Sequence, residues 1–405
     1  MKRRDFLATT ASVLGLTQTL KSNEQELKRN GKSAILLWMG GGPSTMDIWD
    51  LKPDSITGGP FRPISTSGDV EICEHMPMMA KQMHNMAIIR SMRTREADHG
   101  RGRYYMHTGY TPNPSIEHPS YGSVISKQLE NKNIKIPQFV SVNGSSMGAG
   151  FLGAEYSPFL VNGDGRVKNL DIKIGARFYN RMRYLDVIEN NFIKSNRGPL
   201  PREHQKVLKK TLDVLTSKQM DAMKVAGEPQ AVRERYGDNG FGNGCLMARR
   251  LVEVGVPFIE VGLGGWDNHQ NIFPTLKDTK LPVLDRGMSA LVEDLEQRNL
   301  LKDTVIIWMG EFSRTPRINA NVGRDHWAAS WSVVVGGGGM NGGISVGSTS
   351  EDGKSVEGIA YSSQDIMASI CNALNISLKT TFTSNNGRPM KIANSGKIIK
   401  ELFTV

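Results

Sequence analysis

Residues 34–43 read Ala-Ile-Leu-Leu-Trp-Met-Gly-Gly-Gly-Pro, an apolar run that stops abruptly in three glycines and a proline. Glycine and proline interrupt regular structure, and a run of six apolar residues is short for a helix. The stretch therefore predicts a buried strand that opens into a loop. Similar short runs, each ended by glycine or a polar residue, predict further strands at 86–90, 137–142, 257–261, 304–309 and 332–335.

Helical patterns lie between these strands. The clearest one places Leu284, Met288, Leu291 and Leu295 on one face, and another runs through residues 245–252. Strands that alternate with helices predict an α/β fold, in which a mostly parallel central sheet carries helices on both faces. Such sheets bind ligands at the carboxyl ends of their strands. A polar helical stretch at 202–225 and a Gly- and Asn-rich segment at 236–244 predict a helical insertion near 165–245 within a single domain, 31–405.

The composition limits the possible functions. With 39% hydrophobic and 22% charged residues, the 405-residue chain has the balance of a globular protein that buries a sizeable core. The net charge of +10 favours anionic partners. Because the basic residues are scattered and no basic tail carries interleaved aromatic residues, nucleic acid is not the expected partner. The three cysteines are few and far apart, so neither a disulfide framework nor a zinc ribbon is predicted.

The N-terminus predicts export. Arg3 and Arg4 stand before Asp5-Phe6-Leu7, and a mildly apolar run of small residues follows at 8–20. This Arg-Arg-x-Phe-Leu pattern resembles a twin-arginine signal, so residues 1–30 are predicted to be signal and linker, and the protein to be periplasmic or at the cell surface. The alternative is a basic, amphipathic first helix. No other stretch approaches the roughly 20 apolar residues of a membrane span.

Asp267 and His269 follow the predicted strand at 257–261, in the sequence Gly264-Gly-Trp-Asp-Asn-His269. A carboxylate and an imidazole two residues apart on a strand-end loop can both reach one metal ion. The alternative for the aspartate is a cap on the next helix.

A second group of polar residues follows the predicted strand at 304–309. It comprises Glu311, Arg314, Arg324, Asp325 and His326. Oxygen and imidazole ligands at strand ends suit a divalent cation that keeps one coordination position open for water or substrate. Salt bridges among these acidic and basic residues are the alternative.

A third group surrounds His99, in the sequence Thr94-Arg-Glu-Ala-Asp-His-Gly-Arg-Gly-Arg103. A helix start beside arginine side chains is an anion site, and arginine holds phosphate or sulfate oxygens in a bidentate fashion. His99 is a candidate nucleophile, general acid or metal ligand, and the alternative is a histidine hydrogen-bonded within a polar loop. Ser44, just after the first strand, is a further candidate for the site, whereas Asp47 can equally be a helix-start charge.

The order of these motifs resembles the bacterial domain-of-unknown-function family 1501, in the sulfatase-like branch of the alkaline phosphatase superfamily. The resemblance covers nearly the whole chain. It rests on Gly40-Gly-Gly-Pro-Ser44, Thr94-Arg-Glu-Ala-Asp-His99-Gly, Gly265-Trp-Asp-Asn-His269, Glu311-Phe-Ser-Arg-Thr-Pro316 and Gly323-Arg-Asp-His-Trp327.

The resemblance implies roles for individual residues. Asp267 and His269 are similar to the superfamily's first-metal ligands, His326 to its late metal histidine, and Glu311 to a metal-binding aspartate. His99 takes the position of the sulfatase cysteine that becomes formylglycine. Phe312 stands where relatives have a metal histidine, no aspartate follows the first strand directly, and no Cys-x-Pro-x-Arg motif occurs, so a conventional formylglycine sulfatase is not expected.

The resulting prediction is an exported, metal-dependent hydrolase of sulfate or phosphate esters. A divalent zinc, calcium or magnesium ion is the expected cofactor, and a sulfated polysaccharide is one candidate substrate. The alternative is a catalytically silent surface protein that binds anionic polysaccharide. The residues assigned to these roles are His99, Arg103 and Ser44 for catalysis, Arg95, Arg314 and Arg324 for substrate binding, and Asp267, His269, Glu311, Asp325 and His326 for the metal.

Overall fold

The computed structural model describes residues 31–144, 146–166, 175–195 and 200–403. The predicted export signal, 1–30, lies outside these residues. Sixteen strands occur in the described chain, and we number them in order: β1 (Ser33–Trp38), β2 (Pro63–Ser65), β3 (Glu71–Cys73), β4 (Met86–Met92), β5 (Phe139–Val142), β6 (Phe159–Val161), β7 (Phe258–Gly262), β8 (Thr304–Met309), β9 (Ser313–Arg314), β10 (His326–Trp327), β11 (Trp331–Gly337), β12 (Ser345–Val346), β13 (Ser348–Thr349), β14 (Val356–Glu357), β15 (Thr381–Thr383) and β16 (Pro389–Lys391).

Ten α-helices occur in the same part of the chain, beside several short 3-10 turns. They are α1 (Pro77–Ala80), α2 (His99–Thr108), α3 (Tyr121–Gln128), α4 (Ala176–Lys194), α5 (Leu200–Thr216), α6 (Gln230–Tyr236), α7 (Gly240–Val254), α8 (Ile272–Thr275), α9 (Leu281–Gln297) and α10 (Ser363–Ala373).

Eight of the strands form one central sheet in the order β12-β4-β11-β8-β1-β7-β5-β6. Only β11 runs against its neighbours β4 and β8, and the remaining neighbours pair in parallel. The predicted mostly parallel α/β sheet is therefore confirmed. All six strands predicted from apolar runs belong to it, whereas the two edge strands β6 and β12 were not predicted because they are only three and two residues long.

The sheet has a core on each face. Because successive side chains of a strand point to opposite sides, Ile35 and Leu37 of β1 pack into one core and Leu36 and Trp38 into the other. The first core includes buried residues of α7 and α9, and the second those of α3 and α10. The expectation of helices on both faces is thus confirmed.

Helices α4 and α5 lie in the interval for which the sequence predicts an insertion, although residues 167–174 and 196–199 of that interval lie outside the described chain. All three cysteines are buried and free. Among the described helices, none is long and apolar enough to cross a bilayer.

The centre of the sheet determines where the functional loops meet. Strand β1 pairs in parallel with β8 on one side and with β7 on the other. Parallel neighbours end at the same edge of a sheet, so the loops that begin at 39, 263 and 310 emerge side by side. These loops carry the glycine-rich turn, the Asp-x-His sequence and Glu311.

Candidate metal centre

The glycine-rich turn after β1 lies directly against the Asp267 loop. Gly41 has a φ of +114°, a backbone conformation that favours glycine, and a Cβ atom there would lie 2.6 Å from the amide nitrogen of Asp267. Trp266 anchors the other side, because its ring is buried and its Nε1 donates to the carbonyl of Leu263 at 2.8 Å. The absence of a side chain at Gly41 therefore lets the two loops approach closely, and the buried Trp266 ring anchors the Asp267 loop.

A Gly41→Ala substitution is expected to destabilise the protein by about 1–3 kcal/mol and to weaken metal binding, because it combines backbone strain with a clash against the Asp267 loop. The matched control is Gly153→Ala. Gly153 has a φ of +97°, but a Cβ there would meet nothing within 4 Å. Urea unfolding and zinc titration of both variants check the prediction. Equal losses of stability and zinc affinity in the two variants would show that the close approach of Gly41 to the Asp267 loop is not important.

His99 is placed by the start of α2. Asp98 caps this helix by accepting from the backbone N–H of Arg101 at 3.0 Å, and His99 is the first helical residue. The imidazole Nδ1 lies 2.7 Å from Oε1 of Glu311, the residue that follows β8 by two positions. A strand-end carboxylate and a helix-start histidine are thus joined across the sheet edge.

His326 is placed by a two-stranded ribbon. Strands β9 and β10 are antiparallel, with His326 opposite Arg314. The Nδ1 of His326 lies 2.8 Å from the carbonyl oxygen of Ala97, one residue before the cap of α2. Because a carbonyl oxygen only accepts, Nδ1 is the donor in this contact, and Nε2 is the ring nitrogen that faces Asp267.

Asp267 is the centre of the arrangement. Its Oδ1 lies 2.9 Å from Nε2 of His269 and 3.3 Å from Nε2 of His326, and its Oδ2 lies 3.4 Å from Nε2 of His99. We call these four residues the His-Asp cluster. Each imidazole turns its Nε2 toward one carboxylate.

The three Nδ1 atoms of the cluster are all occupied elsewhere. His99 Nδ1 contacts Glu311, His326 Nδ1 contacts a carbonyl, and His269 Nδ1 lies 2.8 Å from Oδ1 of Asp325. Carboxylates and carbonyls in this position fix the tautomer and ring orientation of metal-binding histidines. Glu311 and Asp325, expected from the sequence to bind the metal, are therefore placed behind the imidazoles, where they orient them.

The cluster fits a divalent cation by two independent observations. Ligand atoms of His99, Asp267 and His326 all lie within 4.8 Å of one another, and no other such group occurs among the described residues. In addition, Nε2 of His99 and Oε2 of Glu311 are buried atoms without a hydrogen-bond partner in the described chain. An uncompensated buried polar atom is costly, and a cation beside Nε2 would remove that cost for the imidazole.

Phe312 packs against two imidazoles of the cluster from the buried side. Its side chain is fully buried, and its ring centroid lies 5.0 Å from that of His99 and 4.8 Å from that of His326. A phenyl ring offers no ligand atom, so it separates the imidazoles from the interior without competing for a cation.

Arg314 supports Asp267 from the buried side. Its guanidinium lies 2.6 Å from Oδ1 of Asp267 and donates to the carbonyls of Gly41 and Gly42. Partial burial raises the pKa of Asp267, but the hydrogen bond and charge of Arg314 outweigh it and lower that pKa to about 2. With its side chain fully buried and these partners engaged, Arg314 holds Asp267, and it is not exposed toward a substrate as the sequence led us to expect.

Ser44 and Arg324 are not brought to the cluster. The guanidinium of Arg324 is fully buried and forms a paired contact with Asp47, with N–O distances of 2.9 and 2.8 Å. Ser44 is buried as well, and its hydroxyl donates to the same carboxylate at 2.6 Å. Neither the catalytic role predicted for Ser44 nor the substrate contact predicted for Arg324 has a counterpart in the structure. Arg324 joins the loop before β10 to the loop after β1, and the Ser44 hydroxyl is engaged within that second loop.

The remaining two arginines lie on either side of His99. Arg103 is half-buried and follows His99 by four residues on α2, so the two side chains share one helix face. Arg95 is exposed and lines a separate cavity beside the loop that precedes α2.

Sequence reasoning missed three contributors. The first is the backbone N–H of Gly41, which donates to Oε1 of Glu311 at 2.9 Å, and the second is the carbonyl of Ala97. The third is Asn319, whose Nδ2 donates to the carbonyl of His269 at 3.0 Å and to Oδ1 of Asp325 at 3.3 Å. Backbone groups leave no signal in side-chain patterns. Asn319 lies in a polar segment that reads as an ordinary turn.

Comparisons with known proteins give a family and distant structural likenesses. A family model described as "Protein of unknown function (DUF1501)" matches residues 31–403, and no curated protein matches significantly. The chain is similar to the structure of Ps i-CgsB in complex with k-i-k-neocarrahexaose, at 12% identity and a TM-score of 0.41, over 86% of this chain and 73% of that one. It is also similar to the PsFucS1 sulfatase from Pseudoalteromonas sp. (13%, 0.38, 96% and 78%) and to an alkaline phosphatase from the Antarctic bacterium TAB5 (12%, 0.37, 85% and 98%).

Proposed function

This chain belongs to the DUF1501 family of unknown function, and we propose that it is an exported, metal-dependent hydrolase of sulfate or phosphate esters. The observation that carries the proposal is the convergence of three Nε2 atoms on the carboxylate of Asp267. Their Nδ1 atoms are held by Glu311, Asp325 and a backbone carbonyl. Such preorientation is costly to build and is typical of metal-binding imidazoles.

His99, Asp267 and His326 would hold the ion. Two imidazole nitrogens and one carboxylate oxygen favour zinc over calcium or magnesium, because the latter two prefer all-oxygen sites. Three protein ligands with an open position are typical of catalytic zinc. A zinc ion bound there would supply a Lewis acid for an ester oxygen and a water of lowered pKa.

The chain's own residues supply orientation and charge. Glu311 holds Nδ1 of His99, so Nε2 of the same ring stays directed at the ion position. Arg314 keeps Asp267 ionised and fixes its Oδ1. Arg103, on the same face of α2 as His99, is proposed to hold the anionic group of the ester.

Export is proposed from the Arg3-Arg4 motif alone. In that setting, the net charge of +10 would favour anionic substrates outside the cytoplasm.

Removal of metal is expected to abolish ester hydrolysis, and zinc is expected to restore it better than magnesium or calcium. The test is to dialyse the purified chain against a chelator, then to add one metal at a time and to assay 4-nitrophenyl sulfate and 4-nitrophenyl phosphate. A His84→Ala variant is the control for histidines outside the cluster, since His84 lies in an exposed contact with Glu296. It should respond to the chelator and to zinc as the wild type does.

Two outcomes would contradict the proposal. Hydrolysis that persists in the chelator would exclude a metal-dependent mechanism. A protein that binds zinc at the cluster and hydrolyses neither ester would favour the alternative of a catalytically silent binding protein.

A further inference from the structure

A cavity of about 430 Å³ lies beside the loop that leads into His99. Its wall comprises residues 93–96, Tyr105, Thr111 and residues 360–362. Arg95 precedes His99 by four residues, and four residues of extended chain span at most about 14 Å. The cavity is therefore close enough to the His-Asp cluster for one extended ligand to reach both.

Two cationic side chains on this wall have no side-chain partner among the residues that the structure describes. Arg93 and Arg95 are both exposed, and neither guanidinium forms a hydrogen bond or ion pair with any described residue. Arg101, in contrast, is paired with Glu96, the acidic residue of the wall, at 2.6 Å. Glu96 is thus already neutralised by a neighbour, and two forks of N–H donors remain directed at solvent.

Several other wall residues carry hydroxyl groups, and three of these hydroxyls are held by hydrogen bonds. The Tyr105 hydroxyl donates to Gln364 at 2.7 Å, and the Tyr361 hydroxyl lies 3.3 Å from Glu401. Ser362 caps α10 with a capping box, and Thr111 is exposed at the rim. Aromatic rings with hydroxyls and exposed guanidinium groups provide apolar faces, hydrogen-bonding groups and positive charge in one concave site.

We propose that this cavity is a second anionic subsite, in which Arg93 and Arg95 hold a sulfate group of a sulfated polysaccharide whose scissile ester lies at the His-Asp cluster. The inference rests on the proposed function, since it makes the substrate a polyanion rather than a small monoester. Guanidinium forks match sulfate oxygens bidentately. A concave cavity that opens to solvent and carries several hydroxyl groups suits a substituted sugar. Nucleic acid, in contrast, needs a continuous basic track, and the basic residues of this chain are scattered.

The test is equilibrium binding of a fluorescent chondroitin sulfate oligosaccharide to the full chain in a chelator, where no metal-dependent turnover occurs. Arg93→Gln/Arg95→Gln is expected to bind at least about tenfold more weakly than the wild type, because two charge-assisted contacts are lost. The matched control, Arg177→Gln/Arg181→Gln, removes the same charge from exposed positions of α4 and is expected to stay within about twofold. The desulfated oligosaccharide should bind weakly to all three proteins.

An equal loss in both double variants would overturn the subsite, because it would show that total charge alone attracts the polymer. Single-stranded DNA that binds more tightly than the oligosaccharide, with the same dependence on Arg93 and Arg95, would overturn it in favour of nucleic acid. Binding is measured without turnover. If the protein hydrolyses no ester but its binding of the oligosaccharide still depends on Arg93 and Arg95, only the proposed function is contradicted. In an active enzyme, the double variant should also raise KM for the sulfated oligosaccharide more than for 4-nitrophenyl sulfate.

Discussion

Replacing Asp267 with alanine is expected to weaken zinc binding by more than about 100-fold, since even residues that only orient metal ligands contribute roughly 10- to 100-fold. Asp267 is the one carboxylate that all three imidazoles of the cluster face. Without it, a cation would keep two nitrogen ligands and lose its only directly placed negative charge. Competition between the metal-free protein and a fluorescent zinc chelator measures the change, and ester hydrolysis should fall to background in the same variant.

This variant leaves Arg314 buried without its carboxylate partner, so folding must be checked by circular dichroism. His326→Gln provides a second test, because it removes a ligand and leaves the contact between Arg314 and Asp267 intact. Asp221→Ala, at an exposed pair with Lys224, is the matched control. If both cluster variants fold and bind zinc as tightly as the control, the proposed ligands are wrong.

Asp47→Asn is expected to lower the free energy of unfolding by about 3–5 kcal/mol, because it leaves the buried charge of Arg324 without its anionic partner. Both side chains are almost completely buried. The other partners of Arg324, the carbonyls of Thr315, Pro316 and Thr57, are neutral and cannot replace the lost charge. Urea unfolding at pH 7 measures the loss.

The same substitution should also reduce zinc affinity, since Arg324 directly precedes the segment that carries Asp325 and His326. The control is Asp352→Asn, which breaks an exposed pair with Lys354 and should leave the unfolding midpoint near that of the wild type. A loss in Asp47→Asn no larger than in the control would show that the buried pair does not hold the two loops together.

The fold could be predicted largely because its central strands are buried on both faces and therefore read as continuous apolar runs. The run at 304–309 coincides with β8 in both bounds, and that at 34–39 differs from β1 by one residue at each end. The reversed direction of β11 could not be predicted. Its valine run at 333–335 is as apolar as the runs of the parallel strands in the sheet, and strand direction depends on the path of the connecting chain.

The site was harder to predict because the sequence does not show which partner each polar side chain contacts. Asp267 and Glu311 follow β7 and β8, which flank β1 and end at the same edge of the sheet, and in the structure both lie beside His99. His326 reaches the same place from the ribbon of β9 and β10. Whether Arg314 faces a ligand or two carbonyl groups depends on the turn at Gly41 and Gly42, more than 270 residues earlier in the chain. In the same way, the position of Glu311 behind His99 depends on how α2 packs against the end of β8.

The location of the metal tests the central claim most directly. Crystals of the full chain soaked in zinc should give an anomalous difference peak about 2.0–2.2 Å from Nε2 of His99, Nε2 of His326 and a carboxylate oxygen of Asp267. Glu311 and Asp325 should remain on the Nδ1 atoms of His99 and His269. A map without a peak among the three ligands, or with the ion bound by Glu311 and Asp325 instead, would contradict this account.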